Sequence, residues 1–151
     1  MTTEQRYEKT FSTGDHCELT LTNVRGGVHV LGWDRPEVSV VAVKRLGTYM
    51  GAQQAYDETF VAMDQQGPAV SLRTRTARGF NPFSWMGLGT TPPEVEYTVQ
   101  VPRQGEVAVR CVSGPLEIKD ISGSVYARTV NGDIYLERLS GSIIVHGVNG
   151  G

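Results

Sequence analysis

Three histidines, His16, His29 and His146, two cysteines, Cys17 and Cys111, and sixteen carboxylate side chains are the groups here with catalytic or metal-binding chemistry. Either activity requires several of them to converge. No histidine has a second His or Cys at ligand spacing, and neither H-E-x-x-H nor G-x-S-x-G occurs. Two cysteines exclude a disulfide framework on count and read as plain thiols, although they could meet if the first repeat packs against the later ones. Gly87-Leu88-Gly89 lacks the third glycine and the helix of a phosphate loop. Asp120 and Asp133 do not fall where a calcium-binding nonapeptide needs its aspartates. Glycoside hydrolysis needs two carboxyl groups facing one sugar, and the repeat supplies no such pair. The expectation is a chain with no catalytic residue, no metal and no cofactor.

Binding chemistry is better represented. Arg110, Arg128 and His146 recur eighteen residues apart, with Tyr126 two residues before Arg128. If successive repeats stack, these side chains form a column about 4.8 Å apart in which like charges repel. An anionic ligand, an acidic glycan or a partner carboxylate, would relieve that repulsion, with Tyr126 as an aromatic platform. The alternatives are that the side chains splay into water or find acids from the 35–103 segment. A second candidate contact is the loop Gly79 to Thr91, where Phe80, Phe83, Trp85, Met86 and Leu88 crowd into turn-forming sequence. These side chains form either an exposed tip or a cap over a sheet edge.

The elements that position the column are set by glycine. Gly105, Gly114, Gly123, Gly132, Gly141 and Gly150 lie nine residues apart. The third residue of each unit reads Val107, Leu116, Val125, Ile134 and Ile143, and the fifth reads Val109, Ile118, Ala127, Leu136 and Val145. Each unit closes on Ser-Gly or Asn-Gly, which are turn signals. Read as a hairpin meander, the repeat sets Val130 against Asp133 and Val125 against Arg138. Stacked in parallel at eighteen residues, it pairs Leu116 with Ile134, Ile118 with Leu136, Val125 with Ile143, Ala127 with Val145 and Val130 with Val148. Every inward pair is then apolar, and register follows such matching. The predicted fold is all-β, a single-stranded parallel β-solenoid or β-helix of about eighteen residues per coil.

One domain spans residues 1–151, with a first coil over 17–34, an excursion over 35–103 and repeat coils over 104–151 that stop partway through a coil. Within the excursion, Val38 to Lys44, Ala69 to Thr76 and Glu94 to Val101 read as strands. Gly51 to Asp64, with Ala52, Ala55, Tyr56, Phe60 and Met63 at roughly helical spacing, reads as a short helix running into a strand. Lys119 and Glu137 read as a charge pair between coils. A formal net charge of −2 argues against a general nucleic-acid or anionic-membrane binder. Met1 to Asp15 lacks the apolar core of a signal peptide, and no stretch approaches the length of a transmembrane helix. As written, the chain is expected in the cytoplasm, or at the cell surface if a further C-terminal region anchors it.

The opening coil Leu19 to Val30, the strand Val38 to Lys44, the short helical excursion, the strand Glu94 to Pro102 ending in Val-Pro, and the tandem Val-Asn-Gly-Asp-Ile and Ser-Gly-Ser-Val steps resemble the putative-adhesin domains of bacteria. These are β-solenoid modules related to the head domains of some autotransporter adhesins. The resemblance implies a binding module whose partner is a protein or a surface glycan, and it assigns no functional residue. The other reading is a cytoplasmic structural or regulatory scaffold that stacks on a partner protein or subunit, with edge-to-edge self-association as one form of that stacking.

Overall fold

A computed structural model describes residues 4–45, 59–76 and 93–149. Among these residues twelve strands form two six-stranded sheets. In chain order they are β1 (Glu4–Ser12), β2 (Glu18–Arg25), β3 (Val28–Trp33), β4 (Glu37–Arg45), β5 (Thr59–Gln66), β6 (Ala69–Thr76), β7 (Glu94–Pro102), β8 (Glu106–Ser113), β9 (Leu116–Lys119), β10 (Val125–Asn131), β11 (Ile134–Glu137) and β12 (Ile143–Asn149). The first sheet runs β1-β4-β7-β3-β9-β11 and the second β12-β10-β8-β2-β6-β5.

The eighteen-residue register holds from β8 onward. Val125 pairs with Ile143 and Ala127 with Val145, while Leu116 pairs with Ile134 and Ile118 with Leu136, all in parallel ladders. The hairpin meander is thereby excluded for this region. The first repeat joins the same stack, because β2 pairs β8 and β3 pairs β9 in parallel. Inward residues of both sheets, among them Leu19, Leu21, Val107 and Val109 from one and Val28, Val30, Leu116 and Ile118 from the other, close one shared core.

A parallel solenoid throughout is not what the chain forms: both sheets are mixed. β4 runs antiparallel to β7, β1 to β4, and β5 to β6. The cause lies in the excursion, where β4 lies beside β7 with β1 at its outer edge and β5 returns on β6 through Gly67-Pro68. Gly67 adopts φ +59°, the conformation that such a tight turn asks of glycine.

The predicted helix over Gly51 to Asp64 is corrected in the part the structure describes. Thr59 to Asp64 belongs to β5, with Thr59 and Val61 buried and Phe60 between them exposed. That alternation is the strand period, and the apolar residues that looked helical straddle both faces of the strand. Residues 51–58 lie outside the described residues. The other expected strands of the excursion are present as β4, β6 and β7. β1 carries no sequence alternation because most of its side chains are exposed on an edge strand, with only Phe11 buried.

The glycine spacing resolves into two columns. A Cβ on Gly114 would overlap the carbonyl group of Gly26, and one on Gly132 would overlap that of Gly114. Gly123 stands likewise over Gly105, and Gly141 over Gly123. Each corner of the stack thus passes its backbone where a side chain would otherwise sit. Cys17 takes the corner place in the first repeat, with its thiol against Gly105.

Candidate functional site

Outward residues of the second sheet line up across adjacent strands because the parallel ladders keep one register. His146 lies opposite Arg128, Arg128 opposite Arg110, Arg110 opposite Thr22, and Thr22 opposite Arg73 of β6. The column expected from Arg110, Arg128 and His146 is therefore present, and the fold extends it to a fourth basic residue. Arg73 was legible as an outward strand residue, alternating with Val70 and Leu72. Its place in the row depends on the parallel pairing of β6 with β2, which the repeat does not encode.

All four basic side chains are exposed. Among the described residues none of them forms an ion pair. Glu96 of the excursion serves the other sheet, lying 2.7 Å from the guanidinium of Arg45 and 3.6 Å from Nε2 of His29. The alternative in which excursion acids neutralise the column is not realised among the described residues.

Tyr126 is half-buried between the basic groups. The guanidinium of Arg110 lies 5.7 Å from its ring centroid, and the His146 ring lies 6.0 Å from it at an interplanar angle of 51°. The Arg110 contact is a cation–π geometry that fixes the guanidinium without using its hydrogen-bond donors. Beside this row, Tyr126, Ile144, Thr20 and Ala108 floor a shallow depression of about 410 Å³, with Glu18 and Glu106 on its far side. Cations on one side and carboxylates on the other give the depression a polarity.

The remaining sequence candidates are dispersed. His29 belongs to the first sheet, and His16 is exposed in the turn before β2. Cys17 and Cys111 are buried free thiols at opposite ends of the β2–β8 ladder, with Cys111 opposite Asn23 and Cys17 just ahead of Glu18. Burial pushes each thiol up to about 11. Lys119 lies 3.5 Å from Glu137 as expected and 3.4 Å from Glu117 of its own strand, and both carboxylates raise its pKa. Phe80, Phe83, Trp85, Met86 and Leu88 lie outside the described residues. No group of three or more His, Cys, Asp or Glu side chains able to hold a metal ion occurs among the described residues.

A buried polar cluster was missed by sequence reasoning. Asn23, fully enclosed, donates through Nδ2 to the carbonyl of Val95 at 2.8 Å and accepts from Thr74 Oγ1 at 2.8 Å. Thr74 Oγ1 lies 2.8 Å from Tyr97 Oη, whose ring is also buried. Burial, more than any other influence, raises the Tyr97 phenol pKa well above its usual value. The cluster ties β2 and β6 of one sheet to β7 of the other. An inward Asn on a strand whose other inward residues are Leu was its one sequence signal.

The fold defined by these sheets is that of an all-β two-sheet domain with a patterned outer face. No protein-family model matches the chain, and no curated protein matches it in sequence. Among solved structures, a putative cell adhesion protein from Clostridium sporogenes aligns over 99% of this chain and 97% of its own, with a TM-score of 0.52 and 7% identity. A putative adhesin from Parabacteroides distasonis aligns over 95% of this chain and 66% of its own, at a TM-score of 0.33 and 13% identity. At such identity the first likeness speaks for the fold alone. In the described residues no helix is long and apolar enough to cross a membrane.

Proposed function

We propose that this chain is a non-catalytic, adhesin-like binding module, built on stacked eighteen-residue coils, whose outer second-sheet face recognises an acidic glycan. The observation that carries the reading is the row Arg73, Arg110, Arg128 and His146, on four of five neighbouring strands in one register with Thr22 on the fifth and no acid paired to it among the described residues. Cations aligned by a rigid sheet need no backbone ordering when the ligand arrives, so only side-chain rotamer entropy opposes binding. Carboxylate or sulfate groups along an extended chain would each meet a cation of the row, and each guanidinium donates to two oxygens at once. Tyr126 offers a ring on which an apolar sugar face can rest, and Glu18 and Glu106 across the depression can accept hydroxyl hydrogen bonds. Fold likeness to a cell adhesion protein agrees with this reading without carrying it.

The test is titration of the purified chain with a uronic-acid oligosaccharide, alongside poly-glutamate of equal charge, at low and physiological salt. The reading expects oligosaccharide binding that weakens with salt and is abolished in the Arg110→Ser/Arg128→Ser double variant. Equal binding by that variant defeats it, and poly-glutamate binding as tightly as the sugar would point to an acidic protein instead. A scaffold role is the second reading, favoured by the apolar edge of β11 and β12, which is unpaired among the described residues.

A further inference from the structure

The row of cations is interrupted once. Between Arg110 on β8 and Arg73 on β6 lies β2, which offers Thr22 where its neighbours offer a guanidinium. Four residues earlier on the same outer face β2 carries Glu18, directly opposite Glu106 of β8. Both carboxylates are exposed and line the depression, and among the described residues neither is paired with a cation. At the equivalent places β10 and β12 carry hydroxyls, Ser124 and Ser142, and β6 carries Ala69.

The charge of this face therefore changes from strand to strand. Over β10 and β12, Arg128 and His146 stand on one side and hydroxyls on the other. The guanidinium of Arg110 lies over Tyr126, on the side of β8 away from β2, so the three basic groups gather about one ring. Over β8, Glu106 stands about 13 Å along the strand from Arg110 and offsets it. Over β2, Glu18 is the one charged group of the two rows. Arg73 restores a cation two strand spacings, about 10 Å, beyond Arg110.

We infer that the glycan taken by this face alternates acidic with uncharged sugars: an acidic sugar lies over Tyr126, an uncharged one over β2, and the next acid reaches Arg73. The inference rests on the acidic-glycan reading above and narrows it. A chain lying along the row crosses one strand every ~4.8 Å, close to the advance of one pyranose in an extended chain. A carboxylate over β2 would find no guanidinium and would approach Glu18 and Glu106, where displaced water and salt no longer screen the repulsion. A neutral sugar at that place donates its hydroxyl hydrogens to the same carboxylates and exchanges hydrogen bonds with Thr20 and Thr22. Glu18 and Glu106 thus determine specificity by rejecting the wrong ligand, and Thr22 does so by withholding a partner.

The test compares two tetrasaccharides by calorimetry at physiological salt: one alternating glucuronic acid with N-acetylglucosamine, and a tetramer of galacturonic acid. The second carries twice the charge, so plain attraction to the cations ranks it first. The inference ranks it second, with the alternating chain bound about fivefold tighter, the scale of one partly exposed charge interaction. Glu18→Gln/Glu106→Gln keeps both side-chain shapes at exposed sites, and Thr22→Arg fills the gap. Each variant should gain affinity for the galacturonate tetramer until the two ligands bind about equally, with unchanged circular dichroism. A wild type that binds galacturonate as tightly as the alternating chain, or either variant keeping the wild-type ranking, would overturn the alternation and leave the acidic-glycan reading standing. A wild type that binds neither tetrasaccharide would defeat that reading, and the alternation with it.

Discussion

Asn23 Nδ2 donates a 2.8 Å hydrogen bond to the carbonyl of Val95, and this bond links the two sheets through a side chain that no solvent reaches. The same amide lies 3.3 Å from the carbonyl of Gly26, and its oxygen accepts from Thr74. Removing the amide strands several buried groups at once, which costs far more than one exchanged hydrogen bond. Asn23→Ala should lower the unfolding free energy by about 2–4 kcal/mol. Thr74→Val, which leaves Asn23 in place, should lower it by about 1 kcal/mol. Urea denaturation of the two variants checks both the size and the order.

Glycine at the stacked corners is required by space. Gly132 adopts φ +153° and sits against the carbonyl group of Gly114. Gly132→Ala must therefore move backbone, and it should cost about 2–4 kcal/mol. Gly14 also has positive φ, +78°, yet a Cβ there meets nothing within 4 Å. Gly14→Ala should cost only about 1 kcal/mol, the conformational part alone. Equal losses in thermal unfolding would contradict the packing argument.

The thiols make a pH prediction. Burial raises Cys17 and Cys111 from 9.0 to about 11, so the folded state holds both protons through a window in which the unfolded chain releases them. Their contribution is fully present below about pH 9 and is lost as pH rises toward about 11. A Cys17→Ala/Cys111→Ala variant should show a shallower stability decline across that interval, measured by urea titration at successive pH values. Native protein at pH 8 should also resist a thiol reagent that labels both cysteines in urea.

Arg110 and Arg128 are exposed, and in the described residues they are held by no carboxylate. Their replacement by serine should change stability by less than about 0.5 kcal/mol. A large stability loss in that double variant would mean that the row is structural.

Much of the fold was legible because the repeat over 104–149 states its own register. Val107, Val125 and Ile143 are interchangeable in kind, so only the eighteen-residue pairing keeps them on one face. β5 was misread because Phe60 and Met63 mimic helical spacing, while its hairpin partner is fixed by the Gly67-Pro68 turn and by burial of Thr59 and Val61. The antiparallel strands were invisible for a related reason. β1 packs by one buried phenylalanine, and β4 alternates equally well beside a parallel or an antiparallel neighbour. Of the candidate site, Arg110, Tyr126, Arg128 and His146 followed from the repeat, whereas Arg73 joined them only through a ladder between segments with no shared repeat.

The most direct test of the binding face is an amide chemical-shift titration with a uronic-acid oligosaccharide. Perturbations should concentrate around Arg73, Arg110, Tyr126, Arg128 and His146 and fade with added salt. Shifts confined to the first sheet, to residues 79–91, or to no residue at all would contradict the account.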